Sequence, residues 1–510
     1  MLTEVAYRPA LLYIDSAKYL VSSGGTAPEG YRVLLRLLDP VGGLALVAAV
    51  QHVFGLAMAI AVYALLTRRR VPRWAATLAA APVLLDAYQL QLEQTVMPDV
   101  LFETMIAAGL VLLLWPRPPG RSSLWPFAAG ALVLGATATV REIGGVLILP
   151  AVVFALLTAP GWRRRTGRAA LATTCFMLPV LGYMAAAYLV TGHFGLARNG
   201  PAPEYGRAAA AADCATLTIP ADERALCPSG ARTLALGGID GLLHNPQSPG
   251  HTVPVPPGTT RAHLLAGFSL AVFRQQPLRV AAAVARDSVR LFALTRDGDP
   301  EITSIGRWQF QTFYPTYPRR YTMAAFTRLA RQHGSRGDLV AVKPVATVLR
   351  DYQLGGGYTP GPLYAACLAA GLLGSLCGLA SRRTPARRRT PARRRTPARR
   401  RTPARRRTLA RRRPLTAADS ELAAACLLVT LSAVVLLLSS DAYEFSWRYQ
   451  LPAVVMLPVA GALGLTALTG RIKPARAMQT LTAVPTSTAG TGRRTRPASA
   501  ASGPRGPADR

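Results

Sequence analysis

The sequence predicts an all-α polytopic membrane protein, and three observations carry that expectation. Half of the 510 residues are hydrophobic, and the mean hydropathy is +0.23. The formal net charge is nevertheless +34, from 59 Lys and Arg against 25 Asp and Glu. A water-soluble chain this basic would be poorer in apolar residues. Long apolar runs separated by short basic loops reconcile the two, as the positive-inside rule requires. Third, the longest apolar runs approach the ~20 residues that a helix needs to cross a bilayer.

Residues 1–42 begin with neither a basic n-region nor an apolar h-region, so they do not form a signal peptide. They are read as a first extracytoplasmic loop, with helical periodicity over 31–38 that suits a segment lying on the membrane surface. The clear spans are 43–67, 99–115, 169–191, 361–380, 422–439 and 449–469. Weaker ones are 75–90, which contains Asp86, and the pair 125–140 and 143–157. That pair is open to a second reading as one long helix with a buried Arg141–Glu142 step.

The basic loops favour two crossings there. Arg68, Arg69, Arg70 and Arg73 follow the first run and place that loop in the cytoplasm. Counting onward, nine crossings put Arg117, Arg121, Arg163, Arg164, Arg165, Arg168, the run 382–413 and the tail 471–510 on that same side. The expected topology is N-terminus out and C-terminus in. An external N-terminus without a signal peptide points to a first helix upstream of Met1, which would make ten. Upstream DNA encoding no apolar run would remove that expectation.

The expected organisation follows. The first extracytoplasmic loop is 1–42, with an interfacial helix, and helices one to six occupy 43–191. A large mixed extracytoplasmic loop spans 192–360, and helix seven is 361–381. A cytoplasmic Arg-rich segment covers 382–416, helices eight and nine lie in 417–470, and a basic cytoplasmic tail, expected to be disordered, is 471–510. The richness in Ala, Arg and Pro suggests a high-GC bacterial genome, so the membrane is taken as the bacterial plasma (inner) membrane.

From Thr384 the unit Thr-Pro-Ala-Arg-Arg-Arg recurs every six residues, and 382–413 hold 17 arginines and no acid. A Pro in every unit prevents a helix and like charges repel, so disorder is expected. Such a run suits nucleic acid or anionic lipid headgroups. It equally suits a loop lengthened by repeat slippage, since loop length costs little. The second reading is preferred, and no nucleic-acid partner is expected.

Four of six cysteines, Cys175, Cys367, Cys377 and Cys426, sit in apolar runs, where a thiol behaves as a small apolar residue. Cys214 and Cys227 lie in polar sequence and are the disulfide candidate if their loop is extracytoplasmic, although spacing does not set geometry.

Polar groups at the membrane rim are costly and so are functional candidates. On the outer side they collect at four turns. The string Tyr-Ile-Asp-Ser-Ala-Lys-Tyr-Leu holds Asp15, Lys18 and Tyr19, which share one face if it is helical. The next turn holds Asp86, Glu93 and Asp99, the third Arg141 and Glu142, and the last Glu444 and Arg448. Carboxylates and cations meeting on one face suit transfer from a lipid-linked phosphate donor. A carboxylate takes a proton from an acceptor hydroxyl, and cations stabilise the phosphate leaving group. The competing explanation is that these are helix-end residues and interhelical ion pairs.

This order of elements resembles the GT-C superfold of polyprenyl-phosphate-dependent glycosyltransferases, which includes protein O-mannosyltransferases and lipid A aminoarabinose transferases. The resembling parts are the acid-then-Tyr string at Asp15 and Tyr19, the turn Met97-Pro98-Asp99, the helix closing at Arg141-Glu142-Ile-Gly-Gly, and Arg448-Tyr449-Gln-Leu-Pro452. Together they cover about 10–200 and 420–470. The resemblance implies inverting transfer of a sugar from a polyprenyl-phosphate carrier on the extracytoplasmic face, onto a protein, lipid or glycan acceptor. By position it makes Asp15 the catalytic base and Glu93 or Asp99 the second acid, orienting the acceptor or a divalent metal where one is used. Lys18, Arg141 and Arg448 become donor-phosphate ligands, with Tyr19 and Glu444 as substrate-binding candidates. Many members carry paired acids in the first loop, whereas Ser16 follows Asp15 here.

The aromatic cluster Trp308, Phe310, Phe313, Tyr314 and Tyr317 in the large loop suits an interfacial belt or packing, or else stacking on a sugar or prenyl chain. Two other classes compete with the transferase. A transporter or flippase for a lipid-linked or anionic substrate would show internal repeats and midplane charges, and neither is evident. A scaffold holding anionic partners through the Arg run would leave the outer carboxylates without a role. No Walker motif, nucleophile elbow, dinucleotide fingerprint or metal cluster occurs, which disfavours ATPases, hydrolases and oxidoreductases.

Overall fold

A computed structural model of the chain describes residues 2–21, 25–116, 124–198, 200–296, 298–299, 301–317, 322–335, 337–380 and 417–470. The Arg-rich repeat, the basic tail, Arg117 and Arg121 lie outside the described residues.

The described chain is all-α apart from one antiparallel pairing of Tyr7–Arg8 with Val340–Ala341. Five helices are long and apolar enough to cross a membrane: Gly30–Arg68, Trp162–Thr191, Gly361–Gly378, Ser420–Asp441 and Pro452–Thr469. These make it a membrane-embedded protein. The Trp162–Thr191 helix buries only Ala172, Phe176 and Val180, leaving Leu189 and Val190 85% and 84% exposed. Lipid tails solvate such a face, whereas water would penalise it.

The other expected spans are shorter and interrupted. The expected span 75–90 divides into Arg73–Leu85 and Ala87–Gln94 because Asp86 adopts an extended conformation and accepts the Tyr88 amide at 3.1 Å. The Asp99–Leu114 helix has 16 residues, about 24 Å at 1.5 Å per residue. Arg141 is extended (φ −142°, ψ 125°) between short 3₁₀ turns, so 125–157 is not one continuous helix.

Residues 31–38 lie in the first turns of the Gly30–Arg68 helix, and the chain then kinks at Gly43 (φ 59°, ψ −155°). A Cβ at Gly43 would lie 2.7 Å from the His333 carbonyl, so both the backbone angle and the close approach require glycine. The last helix, Pro452–Thr469, is buried along nearly its whole length. It runs closely against Gly361–Ala380, where a Cβ at Gly374 would sit 2.6 Å from the Gly464 Cα. Small residues let membrane helices approach this closely and gain packing contacts.

The expected mixed loop 192–360 is helical, with Val340–Ala341 as its one strand among the described residues. Its first half builds a separate core from Tyr205, Leu226, Leu242 and Phe268. Cys214 and Cys227 are joined by a disulfide there, with Cα atoms 5.9 Å apart. Its second half joins the main core through Trp308, Phe310, Tyr314 and Phe326. Arg207 ties the small core to the spans, pairing with Asp287 at 2.7 Å and donating to the Asp441 carbonyl.

Candidate functional site

The Asp15 string is held open by its neighbours. Ser16, fully buried, accepts from the Tyr13 amide at 2.8 Å and donates to the Val96 carbonyl at 2.9 Å. Leu11 exchanges backbone hydrogen bonds with Gln94 and Val96. A second acid at position 16 would face a carbonyl oxygen without water, which accounts for a small hydroxyl there. The short helix Ser16–Leu20 starts at Asp15, and Asp15, Lys18 and Tyr19 all line one cavity of about 910 Å³.

Arg141, Glu142, Glu444, Arg448 and Tyr449 line the same cavity. Three of the four expected turns therefore meet in it directly, and the remaining one supports it from behind. Arg448 donates to Asp15 through Nη1 at 3.0 Å and clasps Asp99 through Nε at 3.0 Å and Nη2 at 2.9 Å. Arg141 donates to Asp99 Oδ1, which Arg448 Nε also reaches. The Tyr449 ring lies 4.9 Å from the Arg141 guanidinium and 5.5 Å from that of Arg448. Lys18 pairs with Asp15 at 2.8 Å. Three cations thus converge on Asp15 and Asp99, with Glu142 and Glu444 also on the cavity wall.

Exposure separates the two acids. The Asp15 side chain is 24% exposed and Asp99 only 2%, so Asp15 is open to the cavity and Asp99 holds the two arginines from behind. Burial raises the Asp15 carboxyl, but the charges of Arg448 and Lys18 outweigh it and hold its pKa at about 2. Asp15 is therefore ionised across the physiological range. Glu444 is opposite in character. Burial, with a smaller push from Asp240, lifts it to about 7, and it accepts a hydrogen bond from Thr303.

Glu93 does not line the cavity. It pairs with His52 at 2.8 Å behind the first loop. Asp86 likewise serves elsewhere, in a buried pair with Arg296. His244, from the large loop, lines the cavity and was not legible in the sequence, being a lone histidine without a motif. Burial lowers its pKa, so it enters the cavity as a neutral imidazole at pH 7. Among the described residues no group of three or more His, Cys, Asp or Glu is arranged to hold a metal ion.

The fold and the site together define a membrane-embedded, all-α protein with a charged, carboxylate-bearing cavity. No protein-family model, curated protein or solved structure matches the chain.

Proposed function

We propose that the protein is a membrane glycosyltransferase that moves a sugar from a polyprenyl-phosphate carrier to an acceptor on the extracytoplasmic face, within a nine-span, GT-C-like arrangement. One observation carries the reading: an ionised, accessible Asp15 shares a cavity of about 910 Å³ with Lys18, Arg141 and Arg448. A disulfide in the large loop supports an extracytoplasmic setting for it.

In the proposed reaction the acceptor hydroxyl oxygen bonds to the anomeric carbon. The bond from that carbon to the phosphate oxygen breaks, and its electron pair leaves with the polyprenyl phosphate. The hydroxyl proton passes to Asp15. Arg448, Arg141 and Lys18 stabilise the charge growing on phosphate. Arg448 and Lys18 are also the partners that hold Asp15 acidic, so a bound phosphate that draws on both raises the basicity of Asp15 when a base is needed.

The test uses the full-length protein in native membranes with a panel of polyprenyl-phosphate sugars. The wild type is expected to release sugar from at least one donor, and Asp15→Asn at equal protein level to slow this about a hundredfold or more. Release unaffected by Asp15→Asn would remove Asp15 from the site. Failure of every donor in the presence of mixed acceptors would count against the transferase.

A pH prediction follows from Glu444. Ionised, it would repel an incoming phosphate, so donor KM is expected to rise as pH passes about 7. Glu444→Gln should hold KM flat over that range. The same proton affects stability. The folded chain keeps it to about pH 7, whereas an unfolded glutamate releases it near 4.5, so this contribution is present below 4.5 and lost as pH rises through 7. Thermal unfolding of wild type and Glu444→Gln between pH 4.5 and 8 checks it.

A transporter remains the second reading, favoured by Glu103, a carboxylate 1% exposed within the apolar helix Asp99–Leu114. Movement of a fluorescent lipid-linked substrate across proteoliposomes, lost in Glu103→Gln, would decide for it.

A further inference from the structure

Beside the charged cavity lies a second, of about 350 Å³, with a different chemistry. Tyr13, Trp308, Phe313 and Tyr317 supply aromatic walls, and Gln91 and Arg307 supply polar groups. No carboxylate among the described residues lines it, and Arg307 is already paired with Asp240 at 2.9 Å. The cavity therefore offers little to a phosphate or a cation. Its size falls within the range of about 300–1,000 Å³ usual for small-molecule sites.

The walls are held in place before any ligand arrives. Gln353 donates to the Trp308 carbonyl at 3.0 Å and accepts the Phe310 amide at 2.7 Å. Tyr314 accepts the Leu12 amide at 3.0 Å and donates to the Ala10 carbonyl at 2.8 Å, pinning the large loop to the Asp15 loop. One polar group is left over. Trp308 is 5% exposed, and its indole N–H has no hydrogen-bond partner among the described residues. Buried indole N–H groups are normally satisfied, so this one is a cost that the packing of Trp308 carries.

Trp308 also stands between the two cavities. Its ring centroid is 5.4 Å from the Arg448 guanidinium and 4.5 Å from the Tyr13 ring, and Tyr13 is two residues from Asp15. Flat aromatic faces with amide and guanidinium donors, without a carboxylate, match a neutral polyhydroxylated ring. We infer that this second cavity is a carbohydrate subsite adjoining the proposed site and that its ligand is a neutral carbohydrate, held on the other side of Tyr13 and Trp308 from Asp15. The inference rests on the transferase reading, but its binding step does not need a donor.

The test titrates neutral disaccharides built from glucose, mannose, galactose and arabinose into the full-length protein in lipid nanodiscs without donor, read by calorimetry and tryptophan fluorescence. Saturable binding of at least one sugar is expected. Phe313→Ala and Trp308→Phe should each weaken it about tenfold, through a lost or smaller stacking face. Phe313 is 61% exposed, so its removal leaves the fold intact and keeps the test informative. Binding of no sugar, or binding unchanged in both variants, overturns the subsite. Uptake of farnesol in place of sugars, reduced by Phe313→Ala, overturns it too and assigns the cavity to a prenyl chain. Donor cleavage by the same preparation is read separately, so loss of the subsite and loss of the transferase reading are distinct results.

Discussion

Replacing Arg448 with alanine is expected to lower sugar transfer by about a thousandfold or more. One preorganised donor to a developing oxyanion accounts for about 10²–10³ in rate, and Arg448 does more than that. Its three nitrogens hold Asp15 on one side and Asp99 on the other, so its loss frees the proposed base and unseats the group behind it. Arg448 is 4% exposed and Asp99 1%. Removing one member of a buried pair costs about 3–5 kcal/mol, because the remaining charge is left without water or full compensation. Arg141 still reaches Asp99 and keeps the cost toward the lower end. Arg448→Lys retains the charge but not the planar fork, and is expected to recover part of the stability and little of the rate. The measurements are kcat and donor KM beside thermal unfolding in nanodiscs. An alanine variant that folds normally and transfers sugar at the wild-type rate would dismantle the site.

Replacing Arg296 with alanine is expected to destabilise the protein by about 3–5 kcal/mol, through the same loss of a buried partner. Arg296 pairs with Asp86 at 2.9 Å, with side-chain exposures of 5% and 0%. Its guanidinium also lies 4.4 Å from the Tyr88 ring, 5.0 Å from Tyr358 and 5.4 Å from Trp447. Asp86 accepts the Tyr88 and Thr359 amides as well, so this pair ties the large loop to the break between the Arg73–Leu85 and Ala87–Gln94 helices. The double variant Asp86→Asn, Arg296→Met is expected to recover much of the loss, since no charge is then stranded. A double-mutant cycle on thermal unfolding reads the coupling directly. An Arg296→Ala protein within about 0.5 kcal/mol of wild type would place this position among ordinary surface changes and remove its structural role. Trp447 touches Arg296 and precedes Arg448, so transfer should also fall in Arg296→Ala even where the protein remains folded.

Much of the charged site was legible because its residues sit at the ends of apolar runs. Asp15, Lys18, Tyr19, Arg141, Glu444 and Arg448 were each marked by the cost of placing a polar group there, and all six line one cavity. Glu93 carried the same mark and lies elsewhere, paired with His52 from the Gly30–Arg68 helix. The sequence offered no way to tell them apart, since a rim carboxylate reads alike whether it faces a cavity or a histidine. His244 carried no mark, and the aromatic cluster around Trp308 was marked without a way to tell an interfacial belt from a binding wall. They belong to the large loop, whose elements have no common period and whose positions depend on contacts far away in the chain, 302 positions for Tyr314 and Leu12.

Hydropathy and charge by themselves determined that this chain is an all-α, membrane-embedded protein with its candidate chemistry at helix ends. Both are properties of local composition, which a bilayer reads segment by segment. Tertiary structure alone decided that Arg448 bridges Asp15 and Asp99, that Asp86 belongs to Arg296, and that Trp308 parts two cavities. These facts depend on distances between segments far apart in the chain. Each is set by which groups lose water together and must find a partner inside the fold.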